Sequence, residues 1–262
     1  MRCATRFFAV LAAAAVVGSS TLASAASIVF TIDPELSNLG IAIGAGAPPN
    51  VTIITTAQSP GSDSTSLFGE IFADITGGNL TLLPGGIIGL NDQPVPQQPD
   101  INGVAGSAPA QIGLTLTLPP LASGPAAIRG ATAEASSSTT PIVGGTFDAS
   151  TVELSLLTAF ADINLSGVFA LADRADLGGN GGSNQDPNGL ITNVGDVYKL
   201  EIPIYIEVLV PAGDDLPLDL TAVLSGHIVA TGVLVPEPGT IAMLGVGLVG
   251  LVAVGRRRFR KA

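Results

Sequence analysis

The sequence predicts an all-β fold, an antiparallel β-sandwich-like body with an N-terminal signal helix and a C-terminal transmembrane helix. Three observations carry this prediction. Between residues 26 and 235 helical periodicity is hard to find, while short β-like runs recur between clusters of Gly, Pro, Asn and Asp. Two of those runs, 111–118 and 197–210, alternate apolar and polar residues with the two-residue period of a half-buried strand. Both ends of the chain carry apolar stretches beside basic residues, a composition unlike that of the body.

At the N-terminus, Arg2 and Arg6 precede an almost wholly apolar stretch, 7–18, and Ala23-Ser24-Ala25 supplies a small-x-small site. This order is that of a secretory signal peptide, cut after Ala25 or Ala26. The apolar stretch is short for a bilayer span and no stop-transfer pattern follows it. Cys3, the chain's single cysteine, lies within this leader. The body from residue 26 onward therefore has no disulfide, no Cys metal site and no thiol nucleophile. Cys3 precedes the apolar stretch instead of following it, which argues against a lipoprotein cysteine.

The body's strands follow in order. Residues 27–32 form a first strand that stops at Asp33-Pro34, and 51–56 is a β-branched run ended by a turn-rich segment, 58–63. Residues 67–76 and 79–83 form a hairpin at Gly77-Gly78, where a tight turn is sterically easy. The proline-rich span 91–109 is a long loop or a linker between subdomains. In 111–118, Ile112, Leu114, Leu116 and Leu118 share one face. Residues 146–158 and 161–171 continue the β pattern. The clearest strand is 197–210, with Tyr198, Leu200, Ile202, Ile204, Ile206 and Val208 on one face. Pro203 lacks an N–H donor, which marks an edge or a bulge. Two last strands, 216–224 and 227–233, flank a turn at Ser225-Gly226. The tetrapeptide Phe72-Ala73-Asp74-Ile75 recurs as Phe160-Ala161-Asp162-Ile163, a weak hint of duplication.

Beyond the body, Val235-Pro236-Glu237-Pro238-Gly239 is followed by an apolar stretch, 241–254, and by Arg256, Arg257, Arg258, Arg260 and Lys261. The prolines withhold backbone donors and favour extended chain, presenting Glu237 on an accessible segment. Residues 239–255 sit at the short limit for a spanning helix, and the cationic cluster after them holds that end cytoplasmic. The three-part pattern resembles the PEP-CTERM sorting signal of Gram-negative bacteria. That resemblance implies a transient anchor in the inner membrane and cutting near the Pro-Glu-Pro motif by an exosortase after passage through the secretion machinery. It also implies release to the cell surface or the medium, into exopolysaccharide-associated material. The resulting organisation is a leader, 1–25, an acidic extracytoplasmic β domain, 26–235, and a sorting segment, 236–262.

Charge is segregated between these parts. Of the ten Lys and Arg residues, only Arg129, Arg174 and Lys199 fall within 26–235, against 20 acidic residues, a net charge of −17. Such a body repels nucleic-acid phosphates and anionic lipid, so nucleic acid is excluded as a partner. Cations and cationic polymers are the sensible ones.

Candidates for chemistry are few. The Gly- and Asn-rich span 173–189 offers Asp173, Asp176 and Asp186 as hard-oxygen calcium ligands, but its spacing fits no EF-hand or repeated Gly-Asp array. A solvated hairpin loop is the plainer reading, and no cofactor is expected. His227 is the lone histidine, no G-x-S-x-G elbow accompanies it, and a catalytic residue is not assigned. The leading expectation is a non-enzymatic surface or matrix protein of biofilm type. The rivals are a secreted hydrolase with a carboxylate pair and a calcium-stabilised adhesive module.

Overall fold

Every ladder between named strands is antiparallel in the computed structural model, which describes residues 26–47, 53–58, 61–95, 110–168, 170–210 and 219–234. The expected signal helix, the expected transmembrane helix and most of the expected loop or linker 91–109 lie outside these residues. Among the described residues no helix is long and apolar enough to cross a membrane.

The first half comprises β1 (Ala26–Ile32), β2 (Asn38–Ala47), β3 (Ile54–Ala57), β4 (Ser64–Thr76), β5 (Asn79–Leu83), β6 (Ile88–Leu90), β7 (Ala110–Leu118) and β8 (Ala122–Ser137). The second comprises β9 (Thr140–Pro141), β10 (Thr146–Asp148), β11 (Val152–Gly167), β12 (Leu171–Asp176), β13 (Gly181–Ser183), β14 (Asn188–Val194), β15 (Val197–Val210) and β16 (Asp219–Leu234). One turn of 3-10 helix, Ala149–Thr151, is capped by the Asp148 carboxylate, which accepts from the Ser150 amide.

Two sets of ladders share β4. In the first, the spatial order is β10-β14-β15-β16-β1-β4; in the second, β6-β8-β11-β12 continues from β4. The strands thus form one continuous sheet that passes from set to set through a single long strand. β4 pairs β1 through residues 70–75 and β6 through residues 67–69. Side chains of both sets meet in one apolar cluster. Ile204, Ile206 and Ile228 of the first set lie with Ile88, Leu90 and Ala133 of the second around a common interior cleft. Fully burying each large aliphatic chain there stabilises by about 1.5–3 kcal/mol.

The strands with clear alternation stand where the sequence predicts them. β15 spans the predicted residues, and Leu200, Ile202, Ile204 and Ile206 are all buried. β7 buries Ile112, Leu114, Leu116 and Leu118. The β4–β5 hairpin closes through Thr76↔Asn79, with Gly77 at φ 59° and Gly78 at φ 80°. Those left-handed conformations suit a two-residue turn matched to strand twist. Pro203 lies where β14 no longer flanks β15, since that pairing stops at Glu201. Its carbonyl accepts instead from the Asn184 side chain.

Three expectations are corrected. The turn at Ser225-Gly226 is absent: β16 runs unbroken through it, with Ser225 opposite Gly40 and Tyr205. Gly226 serves there as a gap, because a Cβ would run into the Asn38 carbonyl. Residues 146–167 are a short strand, a helical turn and one long strand, and the expected break near residue 159 is a pair of register shifts between Leu156 and Phe160. The span 173–189 is no free hairpin loop, since β12 and β13 within it both pair with β11.

β1 and β2 occupy the same flank of β16 in succession, β1 beside residues 230–234 and β2 beside 219–227. The seam between them falls at Val229. There Ser37 substitutes for backbone: its Oγ donates to the Val229 carbonyl at 3.0 Å and accepts from the Val229 amide at 2.9 Å. A buried serine is stable there because its hydroxyl is bonded as both donor and acceptor; the Val229 carbonyl also accepts from the Asp33 amide at 2.8 Å.

Candidate functional site

The end of β16 fixes the point from which the C-terminal segment departs. Leu234 is the register partner of Ile28, and Val233 lies between Val29 of β1 and Val197 of β15. Ala26, at the start of β1, stands opposite Ile75 next to the β4–β5 hairpin. The β14–β15 hairpin closes at the same end through Val194↔Val197. One end of the first ladder set therefore gathers the residues beside the predicted leader cleavage and those beside the predicted sorting motif. Ala23, Ala25 and residues 235–262, including the motif and the basic cluster, lie outside the described residues.

The body's three cations are all engaged with carboxylates. Asp162 of β11 is fully buried, accepting at 2.8 Å from Nε of Arg129 on β8 and at 2.7 Å from Nη2 of Arg174 on β12. Arg174 Nε donates to its other oxygen. Burial by itself would push the Asp162 carboxyl up, but the hydrogen bonds and charges of Arg174 and Arg129 outweigh it and hold it below the usual carboxylate range. The same contacts push Arg174 further above its ordinary value. Lys199 pairs with Glu201 on the surface at 2.7 Å. Exposed carboxylates such as Glu35, Asp63, Glu70, Glu153, Asp196 and Glu207 thus dominate the outer charge.

The calcium candidates are spread along the sheet. Asp173 sits in β12 opposite Ile163, and Asp176 ends that strand opposite Phe160. The Asp176 carboxylate accepts from the Gly178 amide at 2.8 Å, and that of Asp186 accepts from the amide and side chain of Asn188. Each closes its own local turn. No group of three or more His, Cys, Asp or Glu among the described residues could hold a metal ion. His227 is exposed in β16, flanked by Pro203 and Asn38.

With that geometry in place, residues 234–258 match the family model of the PEP-CTERM protein-sorting motif. The chain carries a PEP-CTERM sorting signal. The match takes in Val235 to Gly239, the apolar stretch and Arg256, Arg257 and Arg258, while Arg260 and Lys261 follow it. The signal implies an exported protein handled by an exosortase. No curated protein and no solved structure matches the chain. The PEP-CTERM match begins on Leu234, the last residue of β16, so the folded body and its sorting signal abut with no spacer.

Among the buried polar residues whose roles sequence reasoning missed are Asn184 and Asp162. Asn184 is 3 % exposed, donating to the carbonyls of Ala149, Asp186 and Pro203 and accepting from the Tyr205 amide. It stitches the 3-10 turn and the 184–187 loop to the free flank of β15. Asp162 was visible only as part of a repeated tetrapeptide, and its two arginine partners lie 33 and 12 residues away in sequence.

Proposed function

We propose that this protein is a non-enzymatic component of the cell surface or extracellular matrix: an acidic, sandwich-like β module that is delivered by exosortase processing. It is anchored in the inner membrane by 239–255 for as long as its PEP-CTERM signal is intact, and it is then released into exopolysaccharide-associated material. The observation that carries this reading is the complete PEP-CTERM signal abutting a body whose final strand is internal to the sheet. Removing everything after Pro236 would leave β16 with both its neighbours, so release costs the fold nothing that the described residues show.

The chemistry of the body supports a binding or scaffolding role. Among the described residues its fully buried carboxylate, Asp162, is paired with two guanidiniums and holds three strands together. Its surface leaves carboxylates facing solvent, which attracts cations and cationic polymer and repels nucleic acid. Replacing the motif by P236A/E237A/P238A in a host that has an exosortase tests the delivery step. The expected outcome is accumulation of an uncut, membrane-bound chain and loss of the released form. Undiminished release of the triple variant would overturn it.

A further inference from the structure

The outward face of the first ladder set carries a continuous apolar row at the end where the sorting signal departs. Strand by strand, the register aligns Phe72 of β4, Val29 of β1, Val233 of β16, Val197 of β15 and Val194 of β14. Val29 is 36 % exposed, Val197 47 %, Val233 53 % and Val194 83 %. Neighbouring strands lie about 4.8 Å apart, so the row crosses roughly 19 Å of sheet. Val143, 70 % exposed, follows Ile142, whose amide donates to the Gly78 carbonyl of the hairpin at this end. The next outward row, one pleat away from the departing chain, is polar: Glu70, Thr31, Thr231, Lys199 and Thr192. The apolar row is thus set off from this polar row, and on β1 and β4 it is followed toward the tail by Ser27 and Asp74.

We infer that this row is a bilayer-contact edge, by which the body rests on the outer surface of the inner membrane until its tail is cut. The inference rests on the proposed anchoring of 239–255. Val233 lies six residues before Gly239, which spans at most about 20 Å of extended chain. An anchored tail thus keeps the row within reach of the headgroup layer. The charge distribution agrees. Among the described residues of this end the carboxylates are Asp74 and Asp196, whereas Asp33, Glu35, Asp63 and Glu207 lie toward the opposite end of the same strands. An acidic body meets lipid with least repulsion through this end, and partly exposed valines gain by leaving water there. Contact of this kind would also hold the Pro-Glu-Pro segment close to the membrane surface, where a membrane-embedded protease acts.

The body contains no cysteine, so single labels can be placed cleanly once Cys3→Ser removes the one in the leader. The full chain with its tail, in phosphatidylcholine bilayers, would carry a fluorophore at V194C, at V143C, at E35C or, in the tail, at L248C. Quenching by lipids brominated near the headgroups is then read. The expected result is several-fold stronger quenching at 194 and 143 than at 35, with that excess lost when V29E/V233E is added. Equal quenching at 194 and 35, or an excess that survives V29E/V233E, would overturn the contact edge. So would an excess that appears only when exosortase is added, since the row would then be a protein-docking surface. A tail label at 248 that is not quenched by deeply brominated lipid would instead refute the anchoring on which the inference rests.

Discussion

Asp162 shows how a single residue can hold a sheet together from its outer side. It lies between strands on β11, with Arg129 on β8 and Arg174 on β12 reaching it from either flank. Removing one partner of a buried ion pair leaves an uncompensated charge and costs roughly 3–5 kcal/mol. D162N keeps the shape and removes the charge, and it is expected to lower the thermal midpoint by an amount corresponding to about that loss. The pH dependence has a definite sign. The folded carboxyl titrates below its unfolded value, so its contribution is complete above about pH 4 and disappears as the pH falls further. Urea titrations between neutral pH and pH 3 should show the gap between wild type and D162N closing on the acid side. A constant gap would show that the charge is not what stabilises. Little of this was legible in the sequence. The three cations were read only as part of the net charge, and pairing across strands depends on register, which local pattern does not carry. Asn184 was hidden for the same reason, since its partners Ala149 and Pro203 come from different elements.

At the scale of elements, legibility followed side-chain size and alternation. β7 and β15 were readable because branched apolar residues occupy every second position. β8 was not assigned at all, although it is sixteen residues long and lies between β7 and β11. Its inward positions are small, including Ala126, Ala131, Ala133 and Ala135, and alanine gives a weak strand signal. The strand exists because its neighbours cover it on both flanks, a tertiary cause that local propensity cannot report. Glycine misled in the opposite direction. Gly226 looked like part of a turn, whereas it is a place where β16 meets the backbone of β2 too closely for a side chain. G226A is expected to destabilise by about 1–3 kcal/mol, since Asn38 and Leu39 must shift to admit the methyl. Chemical denaturation reads this directly, and a variant as stable as wild type would show that β2 and β16 do not meet this closely.

For the whole molecule, the C-terminal signal was more legible than the middle because it is compositional and local. The Pro-Glu-Pro motif, the apolar stretch and the basic cluster are read without knowing the fold, and the PEP-CTERM match bears out the family resemblance they carry. The body's all-β class was readable in outline, as antiparallel strands around an aliphatic core. Its continuity through β4 was not, because one strand serving two ladders leaves no mark on periodicity. The fold adds a relation between the ends: Ile28 and Leu234 are partners in one ladder, so the expected leader and the sorting signal adjoin the same end of the body. The charge asymmetry has the same polarity, with basic residues concentrated beyond the two ends of an acidic body.

Release of an intact body by cutting at the PEP-CTERM signal is tested most directly by intact-mass measurement on the protein from its native host, separated into membrane and medium fractions. The medium fraction should contain a species that starts at Ala26 or Ser27 and terminates near Pro236, with any further mass reporting modification. The membrane fraction should contain the chain with its basic tail still attached. A full-length tail confined to a membrane pool, with no shortened species in the medium, would contradict release.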